Sequence, residues 1–299
     1  MKAIFTGLGF ALAVAGMASA QGQPRCADYV PQPKPQNASR DIVGQDLDQI
    51  IDRGFITFAV YEDFAPWSWE EKGKPRGVDI EIGRIIAEDL GVEPRFNFVA
   101  AGENLDADLR NNIWKGPIVG GAVSNIMLHV PYDSNFICRV EQVVFTGQAY
   151  SEAIAIAYDE AAFPEEKPVP AYFRFDTVGV ENDSISDFYL TSMMGGAMVQ
   201  NMTRYPSTLA AMDGMAAGEV RAVMGPRGEL DYGLREGLGV HQPPLVGFGV
   251  GKWTLGIAVH FAYRGLSYAA DDAVRYALED GRIEAIFADY GLTFQPPER

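Results

Sequence analysis

Two cysteines, three histidines and only 24 basic residues against 40 acidic ones limit what this 299-residue chain offers to metal, redox and nucleic-acid chemistry. The cysteines, Cys26 and Cys138, are far apart, and no histidine stands at a CxxC or HxxxH type of spacing. Those absences exclude a structural zinc site of ordinary pattern. The formal net charge of -16 argues against sequence-independent nucleic-acid binding, which needs a basic face, and against anionic lipid surfaces. Beyond the first segment no apolar run is long enough to span a bilayer. No Ser-His-Asp, paired-carboxylate or metal motif stands at a recognisable spacing, so the residues point away from catalysis. No cofactor is implied.

What is present is a normal globular mix, 47% hydrophobic and 21% charged, over a length that suits two lobes rather than one ordinary domain. Residues 1–20 (MKAIFTGLGFALAVAGMASA) read as a cleavable export signal. Lys2 is the positive start, Ile4 to Gly16 the short apolar stretch, and Ala18-Ser19-Ala20 the small-x-small cleavage site. Cys26 has no lipobox before it, so the expected product is exported, unanchored and periplasmic. In an oxidising compartment an even cysteine pair invites a Cys26–Cys138 disulfide; two unpaired thiols are the alternative.

Strands alternate with helices along the rest. Phe55 to Val60 is β-branched and aromatic, a buried strand. Asp79 to Leu90 places Ile82, Ile85 and Ile86 on or near one helical face, and Gly91 stops it. Arg95 to Ala100 and Ile118 to Val123 read as further strands, with a helix between them at Leu105 to Lys115. Gln142 to Thr146 and Ala153 to Tyr158 read as two more. A second such pattern starts at Thr177, with Asp183 or Ser184 as an N-cap. It continues through a helix at Leu209 to Ala217 and a strand at Val220 to Met224. A strand at Trp253 to His260 and helices to Tyr290 then return to the first pattern. The expected fold class is α/β, two-lobed, each lobe a mainly parallel sheet flanked by helices, with two crossover strands. The expected division is a signal peptide (1–20), an N-terminal arm (21–44), lobe 1 (45–150 plus 250–299) and lobe 2 (151–249).

Five segments in order resemble the type-2 periplasmic solute-binding proteins, the extracellular family-3 group that feeds ABC importers. They are the aromatic-Pro loop Phe64 to Trp69 with Gly77-Val78-Asp79-Ile80, the strand and helix start Val178 to Ser184, LAAMDGMAAGEVRAVMG (Leu209 to Gly225), Leu255 to Val259, and GRIEAIFADYGL (Gly281 to Leu292). The resemblance implies a ligand cleft between hinged lobes and an ABC permease as partner. Two charged features of that family are missing. Amino-acid-binding members carry an arginine after the third strand, where this chain has Ser124-Asn125-Ile126-Met127-Leu128-His129. They carry an aspartate after the second-lobe strand, where this chain has Pro226. Without those clamps a free α-amino acid is an unexpected ligand.

The substituted segments, with Trp114-Lys115-Gly116, resemble the J-type proteins MxaJ and XoxJ, associated with periplasmic PQQ quinoprotein dehydrogenases. That likeness implies a non-catalytic accessory or maturation factor for a quinoprotein (methanol or alcohol) dehydrogenase. The alternative is the receptor of an importer for a small organic solute; an enzyme of the dehydratase type on the same fold stands behind both.

Candidate ligand-binding residues are Phe64 and Trp67 in the aromatic loop, Ser124, Asn125 and His129 after the third strand, and Gly225, Pro226 and Arg227 in the second lobe. Each has a plainer reading. Trp67 covers a core edge, Ser124 and Asn125 cap a segment, His129 is a locally bonded loop residue, and Arg227 pairs with Glu229. Arg227 is the remaining cation for a carboxylate such as those on PQQ. Asp79 is expected to cap its helix. Met193, Met194, Met198 and Met202 follow helical spacing, with core packing as their expected role.

Overall fold

The structure is a computed structural model that describes residues 44, 46–117, 122–247, 249 and 251–298. The expected signal peptide, nearly all of the N-terminal arm, and Cys26 lie outside the described residues. In chain order the elements are α1 (Leu47–Arg53), β1 (Phe55–Tyr61), β2 (Trp69–Glu71), β3 (Lys74–Arg76), α2 (Val78–Asp89), β4 (Glu93–Val99), α3 (Leu105–Leu109), β5 (Ile126–Pro131) and α4 (Ser134–Ile137). A long β6 (Val143–Asp159) leads to β7 (Val178–Glu181), α5 (Ile185–Ser192), β8 (Met202–Tyr205), α6 (Thr208–Ala216), β9 (Ala222–Pro226), α7 (Arg227–Tyr232) and β10 (Leu238–His241). The chain ends with β11 (Lys252–His260), α8 (Arg264–Glu279) and α9 (Arg282–Asp289).

The strands run in the order β4-β1-β5-β11-β6-β9-β7-β8, with β10 also on β6. β1 pairs in parallel with β4 and β5, and β7 pairs in parallel with β8 and β9. β6 and β11 run antiparallel to each other and carry the chain between the two halves. Parallel pairing needs a crossover, and the α/β alternation supplies it. One half buries Phe58, Val60, Ile80, Ile86, Leu255, Leu266 and Phe287; the other buries Ile156, Val178, Val180, Leu190 and Met224. Each such side chain contributes about 1.5–3 kcal/mol relative to exposure. Trp253 packs against both cores. The C-terminal segment lies along the crossing strands. Ser151 N donates to Gln295 O at 2.8 Å, and Thr293 N to Asp231 Oδ2 at 2.9 Å.

Several expectations from sequence are corrected here. The strand expected at Ile118 to Val123 lies mostly outside the described residues, and 122–124 are not strand. The strand beside β1 is β5, a segment whose His129 was expected in a loop. A bulge between β5 and β11 absorbs His129 at φ 59°, and Pro131 sits at the strand's end. The two strands read at Gln142 and Ala153 are one 17-residue strand, since Gly147 at φ 54° bends the chain without ending it. The methionines do not share a helix. α5 stops at Ser192, and Gly195 and Gly196 both adopt positive φ. Met198 is then buried and Met194 is exposed.

Candidate functional site

The site forms where β1 and β5 end. β1 stops at Tyr61, and the loop behind it folds on itself: Phe64 N donates to Ser68 O, and Trp67 N to Phe64 O, both at 2.8 Å. The loop then seats on the start of α2, where Val78 N donates to Pro66 O and Asp79 N to Trp67 O at 3.0 Å. Gly77, at φ 126°, makes this approach possible, because a Cβ there would lie 2.1 Å from Trp67 O. The N-cap Gly77 has no side chain to offer, and Asp79 does not cap the helix. Its carboxylate turns inward instead.

Asp79 Oδ2 lies 2.9 Å from His129 Nδ1, and Asp79 Oδ1 accepts from the Tyr150 hydroxyl at 3.1 Å. Tyr150 is in turn 3.0 Å from His129 Nδ1. A carboxylate only accepts, so the contact places a proton on Nδ1, and in the neutral imidazole Nε2 is then the acceptor. Burial pushes the Tyr150 phenol well above its ordinary pKa, and the Asp79 charge adds to that. Phe64 and Trp67 pack against the imidazole with centroids at 4.9 and 5.2 Å.

The other lobe presents Glu181 at the end of β7. Its Oε2 accepts from Thr208 N at 3.1 Å and from Thr208 Oγ1 at 2.9 Å, at the first turn of α6. Between the lobes, the Glu152 carboxylate on β6 accepts from Ala153 N at 2.8 Å and from Gly228 N. Burial raises Glu152 to about 7, against the lowering effect of those backbone donors. Burial also raises Glu229 to about 8, helped by the nearby Glu181 and Glu152 charges. Trp67 wedges against this region: it stacks on Tyr150 at 5.1 Å and 9°, and a Cβ on Gly228 would lie 2.5 Å from its ring.

A cavity of about 390 Å³ opens beside His129, lined by Tyr61, Glu62, Asp63, Phe64 and Pro131 on one side and Glu181 on the other. A larger groove of about 1110 Å³ shares Pro131 with it and runs past Tyr132, Ile185 and Lys252. Among the described residues no group of three or more His, Cys, Asp or Glu could hold a metal ion.

Of the candidates from sequence, Phe64 and His129 line the smaller cavity. Trp67 is buried in the core of the first half, the plainer reading, with its ring against Gly228 of α7. Ser124 and Asn125 precede β5 instead of following a strand, which puts them at its far end. Ser124 Oγ accepts from Asn97 Nδ2 at 2.8 Å, and Asn125 Oδ1 accepts from Arg53 and from Thr57 N and Oγ1. Gly225 and Pro226 end β9 and are not among the residues that line the smaller cavity. Arg227 pairs with Asp231 at 2.9 Å, not with Glu229, and also donates to Thr293 Oγ1 at 3.1 Å. Ser184 is the N-cap of α5, and Asp183 is not. Cys138 follows α4, and no free thiol occurs among the described residues. Sequence reading did not reach Tyr61, Glu62 and Asp63, although they follow β1 directly and the same strand-end logic covers them. Nothing local announced the Asp79–His129–Tyr150 contact.

The sequence matches no protein-family model and no curated protein. Solved structures do resemble it. An ancestral cationic amino acid solute-binding protein, AncCDT-1, superposes with a TM-score of 0.68 at 16% identity, covering 82% of this chain and 99% of that one. A second structure of that ancestor describes it as a precursor of cyclohexadienyl dehydratase. An amino acid ABC transporter substrate-binding protein of Streptococcus pneumoniae bound to L-arginine gives 0.59 at 17% identity, covering 83% and 98%. A solute receptor for L-cysteine of Neisseria gonorrhoeae gives 0.55 at 16% identity, covering 82% and 93%. The fold is therefore the type-2 periplasmic-binding-protein fold, two α/β lobes joined by two crossing strands. The particular ligand and partner are matters for the proposal that follows.

Proposed function

We propose that this chain is an exported, non-catalytic receptor whose lobes, 45–150 plus 250–299 and 151–249, close on a small organic solute by a hinge at β6 and β11. One observation carries this reading: a single cavity is lined by the ends of β1 and β5 from one lobe and by Glu181 from the other. Strand ends and interlobe crevices are where α/β folds hold ligands, and hinge closure is how such lobes grip them. Among the described lining residues none is lysine or arginine, which supports the expectation that free α-amino acids are not the cargo. His129 and Glu181 share the cavity, but Glu181 accepts from Thr208 N and Oγ1 at the first turn of α6, and the likeness to substrate-binding structures supports binding over chemistry.

Two downstream roles are open to such a receptor. Its likeness to ABC substrate-binding structures supports delivery to an ABC permease. The Met127 to Asp133 and Gly225-Pro226 segments support the other role, accessory to a PQQ quinoprotein dehydrogenase. Native mass spectrometry of protein purified from periplasm tests the receptor reading, with a retained solute released on unfolding as the expected result. A protein that retains nothing, and whose melting temperature no solute raises, contradicts it. Pull-down from periplasm then separates the roles by recovering a permease or a dehydrogenase. N-terminal sequencing of the same preparation is expected to begin at Gln21.

A further inference from the structure

Every polar side chain that faces the smaller cavity and is open to a ligand is a hydrogen-bond acceptor. Glu62, Asp63 and Glu181 bring carboxylates. His129 brings Nε2, the acceptor atom of the neutral imidazole when Asp79 holds the Nδ1 proton at 2.9 Å; no hydrogen bond to Nε2 from the described residues competes for it. The Tyr61 hydroxyl is turned away, donating to Asp108 Oδ2 at 2.9 Å. Pro131 has no N–H. Two aromatic rings, Tyr61 and Phe64, meet edge to face at 6.1 Å beside these groups.

His129 is also held in an unusual posture. Its φ of 59° is uncommon for a residue with a side chain, and it sits on the β5 bulge. Bulges re-aim side chains, and such backbone strain gathers at ligand sites. The imidazole is therefore fixed from behind by Asp79 and Tyr150, with its acceptor side toward the cavity.

A carboxylate or phosphate entering this space would meet like charges and find no side-chain donor. A protonated amine would meet acceptors for its N–H groups, opposite charge, and aromatic faces for its body. We infer that the cavity binds an organic cation, an amine on an apolar or aromatic body that carries no carboxylate of its own. This rests on the receptor reading above and names its substrate class.

Isothermal titration with phenethylamine, putrescine and choline tests it, against 3-phenylpropionate, 2-phenylethanol and L-phenylalanine, which keep one body and change the head group. At least one amine binds, and binds about tenfold or more tighter than the acid, the alcohol and the zwitterion, as charged hydrogen bonds imply. Glu62 and Asp63 are exposed, so the double variant Glu62→Gln/Asp63→Asn keeps its melting temperature and weakens the amine by about tenfold. His129→Phe weakens it too, while raising no affinity for the acid. If the acid or the zwitterion binds as tightly as any amine, or if the double variant leaves amine binding unchanged, the cation assignment is wrong and the receptor reading survives. If no probe of any charge binds and periplasmic protein retains no solute, both fall together.

Discussion

Replacing Glu229 by glutamine removes a carboxylic acid that the fold holds against its own ionisation. Glu229 is buried in α7. Burial first, then the Glu181 and Glu152 charges, lift its pKa from 4.5 to about 8. That rise corresponds to a preference of about 5 kcal/mol for the protonated form, an order-of-magnitude figure shared with Glu152 because the two titrate together. The sign follows from proton counting. Between 4.5 and about 8 the folded chain keeps a proton that the unfolded chain has released, so stability falls as pH rises through that window. The contribution is fully present below 4.5 and lost above about 8. Glutamine is close in shape and cannot ionise. The variant is therefore expected to match the parent near pH ~5 and to exceed it by several kcal/mol near pH ~8.5. Urea melts across that range measure the difference directly, and subtracting the two curves cancels the rest of the acidic surface. Parallel curves, or a gap that narrows as pH rises, would show that Glu229 is not held neutral.

Three further outcomes are expected. Gly228→Ala places a Cβ 2.5 Å from the Trp67 ring and 2.9 Å from Glu152 Oε2, so it loses about 1–3 kcal/mol by overpacking. Adding Trp67→Leu recovers part of that loss; purely additive melts would deny the contact. Tyr150→Phe strips the hydroxyl that donates to Asp79 at 3.1 Å and costs about 1–3 kcal/mol in denaturant, because a buried carboxylate loses a donor; no change would mean the network carries no stability. The Cys26–Cys138 bridge proposed from sequence should appear as one linked peptide in a non-reducing digest, and reduction should cost about 2–4 kcal/mol. Alkylation of both thiols in unreduced protein would rule it out.

The alternation of β-branched runs with apolar helical faces was enough to read the α/β class and the return of the chain to its first lobe, since both follow from local periodicity. Phe64 was read toward the cleft because it follows a strand end, and it lines the smaller cavity. Ser124 and Asn125 were expected past a strand end, but they precede β5, whose bulge at His129 is made tolerable by pairing with β1 and β11. Arg227 was read against Glu229 two residues on, but the first turn of α7 turns Glu229 inward and brings Asp231 to the guanidinium.

The chain's sequence, taken alone, determined its fold class, because side-chain periodicity is a local property. Only the tertiary structure decided that Asp79, His129 and Tyr150 meet, that Glu181 closes the cavity from the other lobe, and that Glu229 is buried beside two other acids. Those contacts join residues tens of positions apart, and distance in space, not order along the chain, sets hydrogen bonding, desolvation and charge repulsion.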